Sequence, residues 1–157
     1  MKIVELDKEI AVGTSPNLDD LEQLKTRGFR SIVDLRGPGE VGGLTLSDER
    51  EAVARSGMAL LNIPVPARTF PGELLDLFRQ EVPDLPKPIF VHCTRGVRAG
   101  LFSVVHLGLE VGASEDAIVA RARGDGLFDE GDAYEDSIRA YVRLAREPYN
   151  NLAEVIW

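Results

Sequence analysis

The chain has 157 residues, 44% hydrophobic and 28% charged, with no polar low-complexity tract; this fits one folded domain with its own core and excludes wholesale disorder. Eighteen Lys and Arg against 26 Asp and Glu leave a net charge of −8, a poor match to a nucleic-acid backbone. One cysteine excludes an internal disulfide, two histidines exclude a His-rich zinc site, and no apolar run reaches membrane-spanning length. Without a basic-then-apolar leader, the expectation is a cytoplasmic protein with no metal, no cofactor and no nucleic-acid or membrane partner.

Apolar residues at Ile3, Val4, Leu6, Ile10, Ala11 and Val12 predict two short strands joined by the charged turn Asp7-Lys8-Glu9. Asn17 is placed to cap a helix with the stripe Leu18, Leu21 and Leu24, and Gly28 to end it. Ser31 to Leu35 is a short β-rich run closed by Arg36-Gly37-Pro38-Gly39, and Glu40 to Thr45 is a glycine-rich loop. Ser47-Asp48-Glu49 opens a helix that Gly57 closes. A further strand over 58–63 precedes a proline-bounded loop and an amphipathic helix over 73–82. Ile89-Phe90-Val91-His92 is apolar enough to be buried on both faces, as a central parallel strand is. Val97 to Leu109 reads as a buried helix, and two more helices follow, from Ser114 to about Gly124 and over 134–146. Strands alternating with helices predict an α/β fold with a mainly parallel central sheet flanked by helices.

The only cysteine lies between the most buried-looking strand and the most buried-looking helix, in His92-Cys93-Thr94-Arg95-Gly96-Val97-Arg98. A strand-to-helix turn at the carboxyl end of a parallel sheet is the favoured ligand position of open α/β folds. Its backbone N–H groups and the helix N-terminus form an anion cradle. Gly96 permits backbone angles closed to other residues, and Arg98 stands where its guanidinium can fork onto an oxyanion. That setting favours a Cys93 thiolate nucleophile for an anionic electrophile, with His92 holding the loop by hydrogen bonds.

Val91 to Arg98 resembles the phosphate-binding loop of the protein tyrosine and dual-specificity phosphatases. Over roughly residues 10–128 the chain is more closely similar to the phosphatase-like domain fused to bacterial beta-lactamase-like hydrolases. Gly13 to Asn17, Gly28 to Arg36, Glu40 and Asn62-Ile63-Pro64-Val65 also carry the likeness. The resemblance implies a protein tyrosine/dual-specificity phosphatase-like layered fold over 1–157, with 129–157 a terminal helix and tail. It implies Cys93 as nucleophile, Arg98 as clamp, the backbone of Thr94, Arg95, Gly96 and Val97 as further donors, and a phosphorylated small molecule or phosphoprotein as partner.

The chain departs from that family at three places. Four residues rather than five separate Cys93 from Arg98, Ala99 stands where Ser or Thr is usual, and the loop Pro66 to Pro71 lacks the usual acid. The spacing is also that of rhodanese-type sulfurtransferases, which carry sulfur as a cysteine persulfide, so a Cys93 persulfide carrier and a non-enzymatic phosphate-binding module stay open. Glu73 and Asp76 are candidate acids with a helix face as the plainer home. Arg36 and Arg68 are expected to face the cleft or solvent, and Arg95 to face the substrate or pair with Asp34 or Glu40. His106 reads as a core histidine, Gly42-Gly43 as loop, and Asp125, Asp129 and Asp132 as a solvated turn; Ile156 and Trp157 dock on the domain or on a second subunit.

Overall fold

In the computed structural model, which describes residues 1–125, 133–147 and 157, the apolar runs of the sequence become one five-stranded sheet. The strands are β1 (Ile3–Glu5), β2 (Ile10–Gly13), β3 (Ser31–Asp34), β4 (Ala59–Asn62) and β5 (Ile89–His92). Their spatial order is β1-β2-β5-β3-β4, with only the β1–β2 pair antiparallel. The three inner strands are buried at every position, which is why β2 and β5 read as largely continuous apolar runs rather than alternating ones. The chain divides into two compact units, Met1–Gly100 and Leu101–Trp157.

In the first unit the helices are α1 (Leu18–Thr26), α2 (Leu46–Ser56) and α3 (Gly72–Glu81), and α4 (Val97–Glu110) begins at its end. Asn17 caps α1 reciprocally with Asp20, and Gly28 follows with φ +95°. Helix α2 starts one residue ahead of the Ser47 expected from sequence, because Thr45 Oγ1 accepts the Asp48 N–H. Leu21 and Leu24 of α1 and Val53 of α2 join Ala11, Phe29, Ile32, Met58 and Phe90 in one apolar cluster. Phe29 meets Phe90 edge to face at 6.3 Å. Burying a ring the size of Phe90 contributes about 2–3 kcal/mol.

The register positions the site. Gly13 and Asp34 both pair with His92, and Asn62 pairs with Asp34. The parallel strands therefore end on one line, and the segments 14–17, 35–45, 63–71 and 93–96 all leave from that carboxyl edge.

The second unit holds the remainder of α4 with α5 (Glu115–Gly124) and α6 (Ala133–Arg146). The α4 side chains Leu101, Phe102, Val104 and Val105 are buried, as its all-round apolar pattern predicts. Gly108 lets α4 approach α5, since a Cβ there would lie 2.5 Å from Ile118 Cγ1. Arg139 and Arg143 pair with Glu115, and Arg123 with Glu135, contacts of a surface kind that contribute little each. The guanidinium carbon of Arg121 sits 4.1 Å from the Trp157 ring centroid. Asp129, Asp132 and Ile156 lie outside the described residues. No helix among the described residues is long and apolar enough to cross a membrane.

Candidate active site

Cys93 leaves the end of β5 one residue after His92, 1% exposed. The Gly96 N–H donates to its Sγ at 3.1 Å, which requires the loop to turn back on itself; Gly96 accommodates that turn with φ +93°. Helix α4 starts at the next residue, so the sulfur stands beside a helix N-terminus. The loop is tied to the β2–α1 connection, where the Ser15 hydroxyl donates to the Cys93 carbonyl at 2.8 Å.

Arg98, 7% exposed, is held by the segments that follow β3 and β4. Its Nη1 donates to the Val65 carbonyl at 2.8 Å and to Glu40 Oε2 at 2.7 Å, and its Nη2 to Glu40 Oε1 at 2.6 Å. Glu40 also accepts from the Thr94 hydroxyl and the Gly37 N–H. This fork, ahead of burial and the other donors, holds the Glu40 carboxyl down at about 2. Reciprocally, the Glu40 hydrogen bonds raise the guanidinium above its ordinary value, and Cys93 adds to the effect. Glu40 thus takes one edge of the guanidinium, while Nε and the second Nη2 hydrogen are committed neither to it nor to backbone.

Behind the loop lies a fully buried charged cluster. His92 Nε2 is 2.6 Å from Glu49 Oε2, and its Nδ1 is 3.8 Å from Asp34 Oδ1. Its ring stacks on Phe90 at 5.8 Å. Arg36 forks onto Asp34 through Nε and Nη2, and its Nη1 donates to the carbonyls of Gly42 and Leu44 at 2.7 and 2.6 Å. Burial pushes the Asp34 carboxyl up, but Arg36 and His92 outweigh it and leave it below the usual range. For Glu49 burial prevails over His92, and its carboxyl lies above the usual range.

Asp34, Glu49 and His92 offer ligand atoms within 4.8 Å of one another. Arg36 already occupies the Asp34 oxygens. The 2.6 Å gap from Nε2 to Oε2 is the length of a proton-bridged hydrogen bond, shorter than two donors around one ion at ~2.0–2.2 Å each would stand. The cluster is therefore a hydrogen-bonded support for the loop. Replacing Glu49 by Ala leaves the buried His92 Nε2 without its partner and is expected to cost about 1–3 kcal/mol, measured by denaturant unfolding. Glu49→Gln keeps a polar partner for His92 and is expected to cost less.

The structure brings His92, Cys93, Thr94, Gly96, Val97 and Arg98 together. Arg36 is placed differently from the expected substrate contact: 5% exposed, its guanidinium is spent on Asp34 and on the glycine-rich loop. Arg95 is exposed and pairs with neither Asp34 nor Glu40. Arg68 is exposed with φ 60°. Glu73 and Asp76 lie on α3, the plainer of their two readings, and His106 is 5% exposed, as a core histidine is. Sequence reasoning missed Ser15 and Glu49 as parts of the site. Glu49 carried one signal, its place four residues before Val53 on the buried stripe of α2.

A parallel sheet with a Cys-to-Arg anion loop at its carboxyl edge is the architecture of tyrosine and dual-specificity phosphatase domains. The family described as "DSP-PTPase phosphatase fused to NAD+ Kinase" matches residues 2–120, and the chain belongs to it. It is 29% identical over 134 residues to a beta-lactamase hydrolase-like protein of Xylella fastidiosa strain Temecula1, covering 85% of this chain and 31% of the relative. It is 31% identical over 100 residues to one of Agrobacterium fabrum, covering 63% and 23%. The chain thus spans less than a third of the length of these curated relatives. Among solved structures, the core catalytic domain of the PP-IP phosphatase SIW14 from S. cerevisiae superposes with a TM-score of 0.70 at 20% identity, covering 98% of this chain and 96% of that one. P. aeruginosa TpbA, in complex with pTyr, gives 0.67 at 20% identity, covering 92% and 90%. These likenesses establish the fold, and family membership places the chain among the phosphatases.

Proposed function

We propose that the chain hydrolyses a phosphate ester through a phosphocysteine on Cys93, acting on a phosphorylated small molecule or a phosphoprotein. The observation that carries this reading is the Gly96 N–H on Cys93 Sγ at 3.1 Å, with Cys93 near enough to Arg98 to help raise the guanidinium above its ordinary value. Sγ attacks phosphorus, the bond to the leaving oxygen breaks, and that oxygen keeps the electron pair. The uncommitted Arg98 donors and the loop N–H groups receive the equatorial oxygens, whose charge grows in the transition state. Water then cleaves the S–P bond and releases phosphate. Ala99 offers no hydroxyl to help the thiolate leave, so this second step is the slower one and the intermediate accumulates.

The test is the intact mass of protein acid-quenched after exposure to p-nitrophenyl phosphate. A phosphoryl adduct on the wild type that is absent from Cys93→Ser supports the reading. The four-residue spacing from Cys93 to Arg98 favours a second reading, a persulfide carrier. Exposure to thiosulfate, adding one sulfur to Cys93 with no phosphoryl adduct in the first tube, would replace the first reading with the second.

A further inference from the structure

Each carboxyl that the structure ties to the Cys93 loop or to the cluster behind it is already committed. Glu40 is bidentate on Arg98, Asp34 is forked by Arg36, and Glu49 is buried against His92. None of the three is free to give a proton to a departing group. The loop after β4, joined to the site by the Val65 carbonyl on Arg98, carries no acid over Pro66 to Pro71. It carries Arg68 instead, in a left-handed conformation (φ 60°) inside a turn closed by the Thr69 hydroxyl on the Pro66 carbonyl at 2.6 Å. A non-glycine residue there costs of order 1 kcal/mol, and such strain concentrates where a side chain must be aimed. Three residues of chain, at most about 10 Å, separate Arg68 from Val65. Across the loop, Arg95 is exposed between Thr94 and Gly96. Neither arginine makes a hydrogen bond or ion pair with any described residue, although acids outnumber bases in this chain.

Building on the phosphatase reading, we propose that the same chemistry extends from phosphate esters with good leaving groups to phosphoanhydrides: Cys93 takes the terminal phosphoryl group, and Arg68 and Arg95 bind the phosphate that leaves. The Sγ–P bond forms as the bond from that phosphorus to the bridging oxygen breaks. The electron pair stays on the bridging oxygen, which departs as part of a phosphate anion. An alcohol leaving as alkoxide needs a proton in the transition state, a contribution of about 10²–10⁴-fold when a positioned acid supplies it. A phosphate leaving group needs no such donor, and two cations beside it balance the charge it gains. Water then breaks the S–P bond, releasing inorganic phosphate and returning one proton to solvent.

The test compares kcat/KM of the full chain for p-nitrophenyl phosphate, glycerol phosphate and two phosphoanhydrides, ADP and inorganic tripolyphosphate. Turnover of the aryl phosphate and of at least one phosphoanhydride is expected, with the alkyl ester at least about 10²-fold slower. Arg68→Ala with Arg95→Ala, both exposed positions, is expected to lower the phosphoanhydride rate at least fivefold more than the aryl phosphate rate. Glycerol phosphate turned over within tenfold of the aryl ester would overturn the proposal, the more so if Glu73→Gln or Asp76→Asn removed that activity. Equal losses on both substrates in the double arginine variant would also overturn it. Aryl phosphate turnover without either phosphoanhydride sinks this inference alone, whereas no Cys93-dependent turnover of any substrate sinks the phosphatase reading beneath it.

Discussion

Arg98→Lys stays folded and loses on the order of 10³-fold in kcat/KM for p-nitrophenyl phosphate, with the loss chiefly in kcat. Lysine keeps the positive charge, so attraction of the anion survives, but its ammonium cannot present two coplanar N–H groups to two oxygens. Removing one preorganised donor from an oxyanion costs about 10²–10³-fold, and the guanidinium supplies more than one. Arg98 also braces the fold through Val65 and Glu40, so a fall in melting temperature should accompany the kinetic loss. A variant with unchanged kcat would remove Arg98 from the transition state.

Glu40→Ala loses about 10²-fold in kcat/KM, because Arg98 loses the carboxylate that fixes the plane of its guanidinium, and misplacement by about 1 Å has a cost of that size. The same substitution changes the acid limb of stability. The Glu40 carboxyl titrates at about 2 in the fold against an ordinary 4.5. A depressed carboxylate contributes stability that is complete above the ordinary value and is lost as pH falls from about 4.5 toward 2. With the side chain 20% exposed, solvent screening reduces that contribution to about 2 kcal/mol. Unfolding free energies of wild type and variant should therefore converge as pH drops through this window. Parallel curves would show that Arg98 draws no stability from Glu40.

The strands were legible because β2 and β5 are buried on both faces and so are written as largely apolar runs, while β3 carries Ile32 and Val33 between two polar ends. The Cys93–Arg98 loop was legible because its chemistry is contiguous in sequence. Arg36 was harder. The sequence places it at a strand end near the cleft, but its direction depends on Asp34 two residues back and on the carbonyls of Gly42 and Leu44, which no local pattern encodes. Glu49 was hidden for a related reason. On α2 it looks like one more acid in a favourable first turn, and its meaning appears only when β5 brings His92 against it. Glu40 could be singled out by resemblance, yet its grip on Arg98 is a property of the folded loop alone.

The contacts that assemble the site join distant parts of the chain. Ser15 and Cys93 are 78 residues apart, Glu40 and Arg98 are 58, and Glu49 and His92 are 43. Each must first overcome the entropy of closing a long loop, and folding dominated by such pairings is slow. On a ribosome, the anion loop has no walls until Arg98 has emerged to meet partners made long before it. The pieces of the site therefore cannot assemble in the order in which they are made.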